Sequence, residues 1–186
     1  MAGANPRSSG RSAHTFGQLA ASSAKPRSMS QNTKYDALGP IDYTSDDMCG
    51  CDSVGSIVLQ DCLIPNPLYC GTCFGEVPPE SIHLAEDLVT PISRWRDIYR
   101  SLYLLWLHSG DYAAWASDQL ADAAGQIHTV GLGIADQLTA GGHLCYYRWF
   151  VPHPEVASDD CPFCSQGLEA WPDRTDRRCL SCRVVL

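Results

Sequence analysis

Two Cys-x-x-Cys pairs near the C-terminus constrain this chain more than any other feature of its sequence. Residues 161–182 read CPFCSQGLEAWPDRTDRRCLSC, and fourteen residues separate the two pairs. Each Cys-x-x-Cys turn directs two thiolates toward one point, and two such turns complete a tetrahedron of sulfur ligands around Zn²⁺. The spacing therefore predicts a zinc site whose four ligands are Cys161, Cys164, Cys179 and Cys182.

The segment around these cysteines favours a zinc ribbon, a small β-structure held together by the metal. Residues 168–171 have the composition of a strand, 172–176 are rich in turn formers, and 183–186 read as a closing strand. So short a segment has no core of its own, and metal binding would supply its folding free energy. Four thiolates leave no open coordination position, which indicates a structural ion. Two disulfides are the alternative, and the absence of a recognisable secretory signal disfavours them.

A second group of cysteines lies upstream of the ribbon. Cys70 and Cys73 form a third Cys-x-x-Cys pair, and the Phe-Gly that follows resembles a zinc knuckle, in which Gly75 would permit the tight turn beneath the metal. The pair needs two further ligands, and a Cys-x-Cys pair that ends eighteen residues before Cys70 can supply both. We therefore consider a second Zn²⁺ site formed by Cys49, Cys51, Cys70 and Cys73, with Cys62 and His83 in reserve.

Charge is distributed unevenly along the 186 residues. Residues 1–34 carry five basic residues and no acids, whereas residues 35–160 carry four arginines and eighteen acids, a net charge of −14. Residues 161–186 have a net charge of +1. An acidic body repels polyanions, which counts against non-specific nucleic-acid binding over most of the surface.

Composition divides the chain into five segments. The first 33 residues are rich in Ser, Ala and Arg, which is typical of a disordered tail, of a transit peptide, or of a start codon assigned ahead of Met29. No apolar run suggests a membrane span or a signal peptide, so we expect a cytoplasmic protein. The predicted segments are a disordered basic tail (1–33), a cysteine-rich segment (34–90), a helical body with a closing strand (91–151), a linker (152–160) and the zinc ribbon (161–186).

Residues 91–141 have the periodicity of helices. Thr90 as the cap and Pro91 as the first helical residue predict where the first helix begins. A second helix is predicted from Asp111, and a third that ends at Gly141. The apolar residues predicted to face the core are Trp95, Ile98, Tyr99, Leu102, Leu105 and Trp106 in the first helix, Tyr112, Trp115, Leu120 and Ala123 in the second, and Ile127, Val130, Ile134 and Leu138 in the third.

Two glycines in the third predicted helix, Gly131 and Gly133, lower its helix propensity. We therefore expect another element to pack closely against them. Residues 143–150, HLCYYRWF, read as a strand. The sequence as a whole predicts an α+β fold: a small body of about three helices, a C-terminal zinc ribbon and a second zinc knuckle.

Several of these motifs occur in the order typical of one bacterial family. They are PLYCGTCFGEVP, the aromatic helix ending in Ser-Gly, CYYRWF, and CPFC followed by CLSCRVVL. Over about residues 67–186 the chain resembles an uncharacterised family described as Zn-ribbon-containing and nucleic-acid-binding. The resemblance implies that Cys70 and Cys73 match the family's first pair, and Cys179 and Cys182 its last. Leu132 stands where the family has an arginine, so any ligand contact of that arginine is absent.

The predicted ribbon favours a nucleic-acid-binding module. Trp171 is expected to stack on an exposed base, and nearby arginines to contact phosphates. These arginines are Arg174, Arg177, Arg178 and Arg183. The alternative is an acidic adaptor or inhibitor, similar to an immunity protein, that binds a basic protein and in which zinc is purely structural. We expect no membrane partner and no small-molecule substrate.

No catalytic motif is evident, so we expect no enzymatic activity. The sequence lacks a Walker loop, a Gly-x-Ser-x-Gly elbow and a His-Glu-x-x-His helix. Cys70-Gly-Thr-Cys73 resembles a thioredoxin-type redox site, but Pro78 and Pro79 follow it where such a site has a helix. A zinc deaminase would need His-x-Glu ahead of Pro-Cys-x-x-Cys, which this order of residues does not supply.

Overall fold

A computed structural model of the chain describes residues 33–38, 48–150, 158–172 and 174–186. The predicted tail up to residue 32 and the predicted linker up to residue 157 lie outside the described residues. Mixed helices and strands confirm the α+β class. In chain order the elements are a short 3-10 helix (Asp36–Leu38), β1 (Ile57–Leu59), β2 (Leu68–Cys70), α1 (Glu86–His108), α2 (Ala113–Ala121), α3 (Gln126–Ala140), β3 (Cys145–Arg148), β4 (Glu169–Ala170), β5 (Arg177–Cys179) and β6 (Val184–Val185).

All six described strands belong to one sheet with the order β2-β1-β3-β6-β5-β4. β1 is antiparallel to β2 and parallel to β3, and β3 is parallel to β6. β5 runs antiparallel to both of its neighbours. Ile57, Val58 and Leu59 of β1 are completely buried, as expected for a short apolar strand covered on both faces. The sheet therefore contains both β2, which ends at Cys70, and β5, which ends at Cys179.

The main core lies between this sheet and helices α1 and α3, and α3 approaches its neighbours closely at Gly131. A Cβ atom at this position would clash with the ring of Tyr147 and lie 2.8 Å from Nε1 of Trp95. Any side chain at Gly131 would therefore push α3 away from the sheet, which confirms the close packing predicted there. At Gly133 the same prediction is wrong, because a Cβ atom would meet open space.

His128 forms a buried hydrogen-bonded link between α2, α3 and β3. Its Nε2 lies 2.8 Å from the carbonyl oxygen of Leu120, and its Nδ1 lies 2.8 Å from the hydroxyl of Tyr147. A carbonyl only accepts, so Nε2 carries the proton and Nδ1 accepts from the tyrosine. Burial lowers the pKa of His128, which keeps the ring neutral.

The start of α1 differs from the sequence prediction. The helix begins at Glu86, so Pro91 lies inside it rather than at its first position. Leu88 and Val89 are buried in the additional turn. Burying each side chain contributes about 1.5–3 kcal/mol, which offsets the ~3 kcal/mol cost of an internal proline. Packing therefore outweighs the local start signal of Thr90 and Pro91.

Four residues predicted to face the core are exposed. In α2 the buried residues are Ala116 and Leu120, and this nine-residue helix packs against α1. That orientation turns Trp115 of α2, and Tyr112 just before the helix, outward. The exposed residues are Ile98, Tyr112, Trp115 and Val130. None of the helices among the described residues is long and apolar enough to cross a lipid bilayer.

Candidate metal centres

The N-terminal centre consists of Cys49, Cys51, Cys70 and Cys73, whose four Sγ atoms all lie within 4.8 Å of one another. The Sγ atoms of Cys51 and Cys70 are 3.9 Å apart. A tetrahedral ion with Zn–S bonds of about 2.3 Å requires about 3.8 Å between its sulfur ligands. The four cysteines considered for a second site are thus brought together with the spacing that a metal ion needs.

The C-terminal centre consists of Cys161, Cys164, Cys179 and Cys182, and its four Sγ atoms also lie within 4.8 Å of one another. The Sγ atoms of Cys164 and Cys179 are 3.6 Å apart, again close to a tetrahedral edge. All ten cysteines lie among the described residues, and none of them forms a disulfide. The reserve ligands Cys62 and His83 belong to neither cluster.

A residue in the left-handed backbone region follows each Cys-x-x-Cys pair. These residues are Phe74 with φ 62°, Ser165 with φ 58° and Arg183 with φ 52°. None of them is glycine, so each costs about 1–2 kcal/mol of backbone strain. Strain of this kind persists where the surroundings fix the backbone. Three strained turns at equivalent positions indicate that the same requirement, bringing two sulfurs to one point, shapes all three pairs.

Gly75 has a different role from the one predicted. The positive φ of the turn falls on Phe74, whereas a Cβ atom at Gly75 would lie 2.5 Å from the backbone nitrogen of Cys49. The missing side chain lets the segment around Met48 lie against Gly75, and Met48 forms a β-bridge with Glu76. Gly75 therefore permits the Cys-x-Cys segment to reach the Cys-x-x-Cys pair.

Backbone amides point at the buried sulfur atoms of both centres. The N–H of Thr72 donates to Sγ of Cys70 at 3.4 Å, and the N–H of Phe163 donates to Sγ of Cys161 at 3.5 Å. A third bond of 3.4 Å joins the N–H of Cys182 to Sγ of Cys179. Such bonds stabilise the thiolate, which is the form that binds a metal.

The thiols within each centre differ in acidity before a metal binds. Burial raises the pKa of Cys49 to about 12, and it also raises the pKa of Cys161 and Cys182. Burial opposes ionisation of Cys73 as well, but the N–H of Gly75 and the neighbouring thiols outweigh it and lower the pKa of Cys73 to about 7.

In the C-terminal centre, the N–H of Gln166 and the neighbouring thiols lower the pKa of Cys164. In each centre the cysteine whose pKa is lowered is thus the exposed second cysteine of one pair, Cys73 in one and Cys164 in the other. A bound metal ion would deprotonate the remaining thiols.

The loop between the C-terminal pairs packs directly on the turn of the N-terminal centre. The ring of Trp171 meets that of Phe74 edge-on, with 6.4 Å between centroids. A Cβ atom at Gly71 would lie only 3.2 Å from Cζ2 of Trp171. Arg174 stacks on Phe74 and donates a hydrogen bond to the carbonyl of Thr72. The loop of the C-terminal centre and the turn of the N-terminal centre are therefore in direct contact.

Trp171 does not present the open face that base stacking needs. Trp171 is only 6% exposed, and the centroid of its ring lies 4.8 Å from the centroid of the Tyr146 ring. Val58, Tyr69 and Val185 complete the same apolar cluster. These neighbours come from other strands, so the sequence around Trp171 gives no sign of them.

The four arginines predicted to contact phosphates all interact within the chain. Arg177 is paired with Asp159, and Arg183 is paired with Asp136. Arg174 lies 3.7 Å from a carboxylate oxygen of Asp176. The guanidinium of Arg178 lies 4.9 Å from the ring centroid of Trp171. Each positive charge therefore already has a partner, although none of the four side chains is deeply buried.

Arg148 is a further contributor to this region that the sequence analysis missed. It ends β3 and forms an ion pair of 2.8 Å with Asp176, in the loop between the C-terminal pairs. The pair ties this loop to the centre of the sheet. The only signal in the sequence was a single basic residue within the aromatic run of 145–150.

The fold and these centres define a class of protein: an α+β protein with two four-cysteine clusters, each able to hold a metal ion, on one sheet. No protein-family model, curated protein or solved structure matches the chain. The resemblance to a Zn-ribbon family is therefore untested and stays a prediction.

Proposed function

We propose that this chain is a non-enzymatic protein that binds two structural Zn²⁺ ions and acts by binding other proteins. The observation that carries the proposal is that each centre offers four cysteine sulfurs within 4.8 Å of one another. Sulfur-only tetrahedral sites suit Zn²⁺, and four protein ligands leave no position for a water or a substrate. In this proposal the C-terminal centre with β4, β5 and β6 is a zinc ribbon.

Zinc would contribute to folding rather than to chemistry. The strands that flank the C-terminal centre contain only two or three residues each. Strands this short bury little apolar surface, so the metal must supply much of the free energy that holds them. The N-terminal centre would fix the Cys-x-Cys segment to the end of β2 in the same way.

Protein binding is favoured over nucleic-acid binding by the surroundings of the C-terminal centre. Using its arginines for phosphates would require breaking their contacts within the chain, and using Trp171 would require exposing a buried ring. The net charge of −14 over residues 35–160 also repels a polyanion and attracts a basic protein.

A binding titration separates the two functions. The zinc-loaded full chain is titrated against short labelled single- and double-stranded DNA and RNA at two salt concentrations, with a lysine-rich peptide as the cationic probe. We expect salt-sensitive association with the peptide and none with the nucleic acids. Micromolar nucleic-acid binding that is lost in the variant Arg177→Glu/Arg178→Glu would overturn the proposal and favour the nucleic-acid module.

A further inference from the structure

Helix α1 carries a ridge of side chains that is exposed over its first three residues and half-buried at Leu102, which packs against the core. Thr90, Arg94, Ile98 and Leu102 follow one another at intervals of four residues, so they lie in one line about 18 Å long at a rise of about 1.5 Å per residue. Ile98 in the middle of this ridge is 51% exposed. Val130 of α3 is exposed as well and lines the same groove as Ile98 and Leu102, so these residues form an apolar patch of the kind that marks a partner site.

A groove lies on each side of the ridge. The first lies between α1 and α3, has a volume of about 580 Å³ and is lined by Trp95, Ile127 and Val130 in addition to the ridge. The second, of about 510 Å³, lies on α1 itself between the ridge and the neighbouring line of Ser93, Asp97 and Ser101. A ridge beside a groove formed by residues four apart is the surface on which a second helix packs at a crossing angle of about −50°.

The second groove carries a positive and a negative charge on opposite sides, so it is complementary to the same groove on a second copy of the chain. Arg94 lies on one side of the groove, and the described part of the chain offers it no ion pair, hydrogen bond or ring contact. Asp97 lies on the opposite side with 64% of its side chain exposed. Its Oδ1 is ion-paired with Arg96, and among the described residues its Oδ2 accepts no bond. A surface that carries one unpaired cation and one accessible anion fits a second copy of itself.

We propose that two copies of this chain associate through α1. The ridge of each copy lies in the groove of the other, with Ile98 near the two-fold axis and Arg94 of each copy facing Asp97 of its partner. A two-fold interface uses the same patch on both copies, so one Arg–Asp contact occurs twice. Ile98, Leu102 and Val130 supply the apolar contact, and the charged pair fixes the register. The inference goes beyond the proposed function, because a second copy of this acidic chain is not the basic partner proposed above.

The test is the oligomeric state of the zinc-loaded full chain, measured by sedimentation velocity from about 1 to 100 μM at about 150 mM salt, where the Debye length is about 8 Å and repulsion between two acidic chains is screened. We expect a dimer that forms as concentration rises. Ile98→Glu should be a monomer throughout this range. Leu104→Glu replaces another exposed apolar residue of α1, off the ridge, and should dimerise like the original chain.

A charge exchange tests the pairing itself. Arg94→Asp should weaken dimerisation at least tenfold because it places like charges together, and Arg94→Asp combined with Asp97→Arg should restore it. Far-UV circular dichroism and zinc content check that each variant is folded. A monomer at 100 μM, a dimer that survives Ile98→Glu, or a failure of the exchange to restore association would overturn the inference.

These outcomes are distinct from a failure of the proposed function. A chain that stays monomeric, holds two zinc ions and does not bind nucleic acid would overturn only the proposed dimer. A dimer that binds nucleic acid with micromolar affinity overturns only the choice of protein as the ligand.

Discussion

The guanidinium group of Arg174 lies 3.2 Å from the ring centroid of Phe74. The two residues belong to different metal centres: Phe74 follows the Cys-x-x-Cys pair of the N-terminal centre, and Arg174 lies between the two pairs of the C-terminal centre. Its Nη2 also donates a bond of 3.0 Å to the carbonyl of Thr72 in the turn of the N-terminal centre. The two centres are therefore mechanically connected through one side chain.

Replacing Arg174 should loosen this connection. Arg174→Gln removes a cation–π contact of about 0.5–2 kcal/mol, and we expect the free energy of unfolding to fall by about that amount. Cys73 should also react faster with iodoacetamide, because Arg174 no longer packs on Phe74 and Thr72 in the turn that contains Cys73. Arg177→Gln is the control, since its pair with the exposed Asp159 contributes about 0–1 kcal/mol and its side chain bonds to Asp159 and to the carbonyl of Leu168, outside the turn of Cys73. Equal effects of the two substitutions on Cys73 would contradict the connection.

The zinc-loaded protein should be alkylated in a defined order. Cys73 and Cys164 are the exposed cysteines of their centres, so within each centre an electrophile reaches them before the other three ligands. Cys145 should stay unmodified, because it is fully buried and burial raises its pKa to about 12. Peptide mass spectrometry after partial reaction reads the order. Earlier modification of Cys70 or Cys161, both buried, would show that the centres are arranged differently.

His128 should make stability depend on pH. Its folded pKa is lowered by burial, so below about pH 6.5, the ordinary histidine value, the unfolded chain binds more protons than the folded one. Stability is then complete above that pH and decreases as pH falls toward the folded pKa, by up to about 1.4 kcal/mol per unit. Urea unfolding at pH 7.5 and 6.0, with zinc content monitored, measures it. The decrease should be absent in His128→Gln.

Two glycines of α3 form a matched pair of tests. Gly131→Ala should destabilise the protein by about 1–3 kcal/mol, because the methyl group overpacks the contact with Tyr147 and Trp95. Gly133→Ala faces open space and should stabilise the protein by up to about 1 kcal/mol through helix propensity. Thermal melting of both variants checks the pair. Equal melting temperatures would contradict the packing of α3 on β3.

The cysteine clusters were predictable because their signal is local. A Cys-x-x-Cys spacing fixes two ligands by itself, and the sequence analysis also named the Cys-x-Cys segment that joins Cys70 and Cys73. The strands β1 and β2 were missed because three residues are too few for a periodic pattern. Val58 belongs to a strand only because it pairs with Tyr69 on one side and Tyr146 on the other.

The predictions for Trp171 and Ile98 were wrong for the same physical reason, which is tertiary packing. Trp171 looked available for stacking, but Tyr146 and Phe74 cover it from distant parts of the chain. Ile98 looked like a core residue by its spacing, yet α1 turns it outward because Trp95 and Tyr99 face the core instead. Helical spacing identifies an apolar face, whereas tertiary packing decides where that face ends.

The most direct test of the account is the metal content of the purified full chain, measured by mass spectrometry of the elements together with protein concentration. We predict two zinc atoms per chain. Cys161→Ser/Cys164→Ser and Cys70→Ser/Cys73→Ser should each leave one, and chelation of both ions should abolish the near-ultraviolet circular dichroism of the packed aromatic residues. A folded chain that holds no zinc, or that keeps its packing after both ions are removed, would contradict the claim that two zinc ions stabilise this fold.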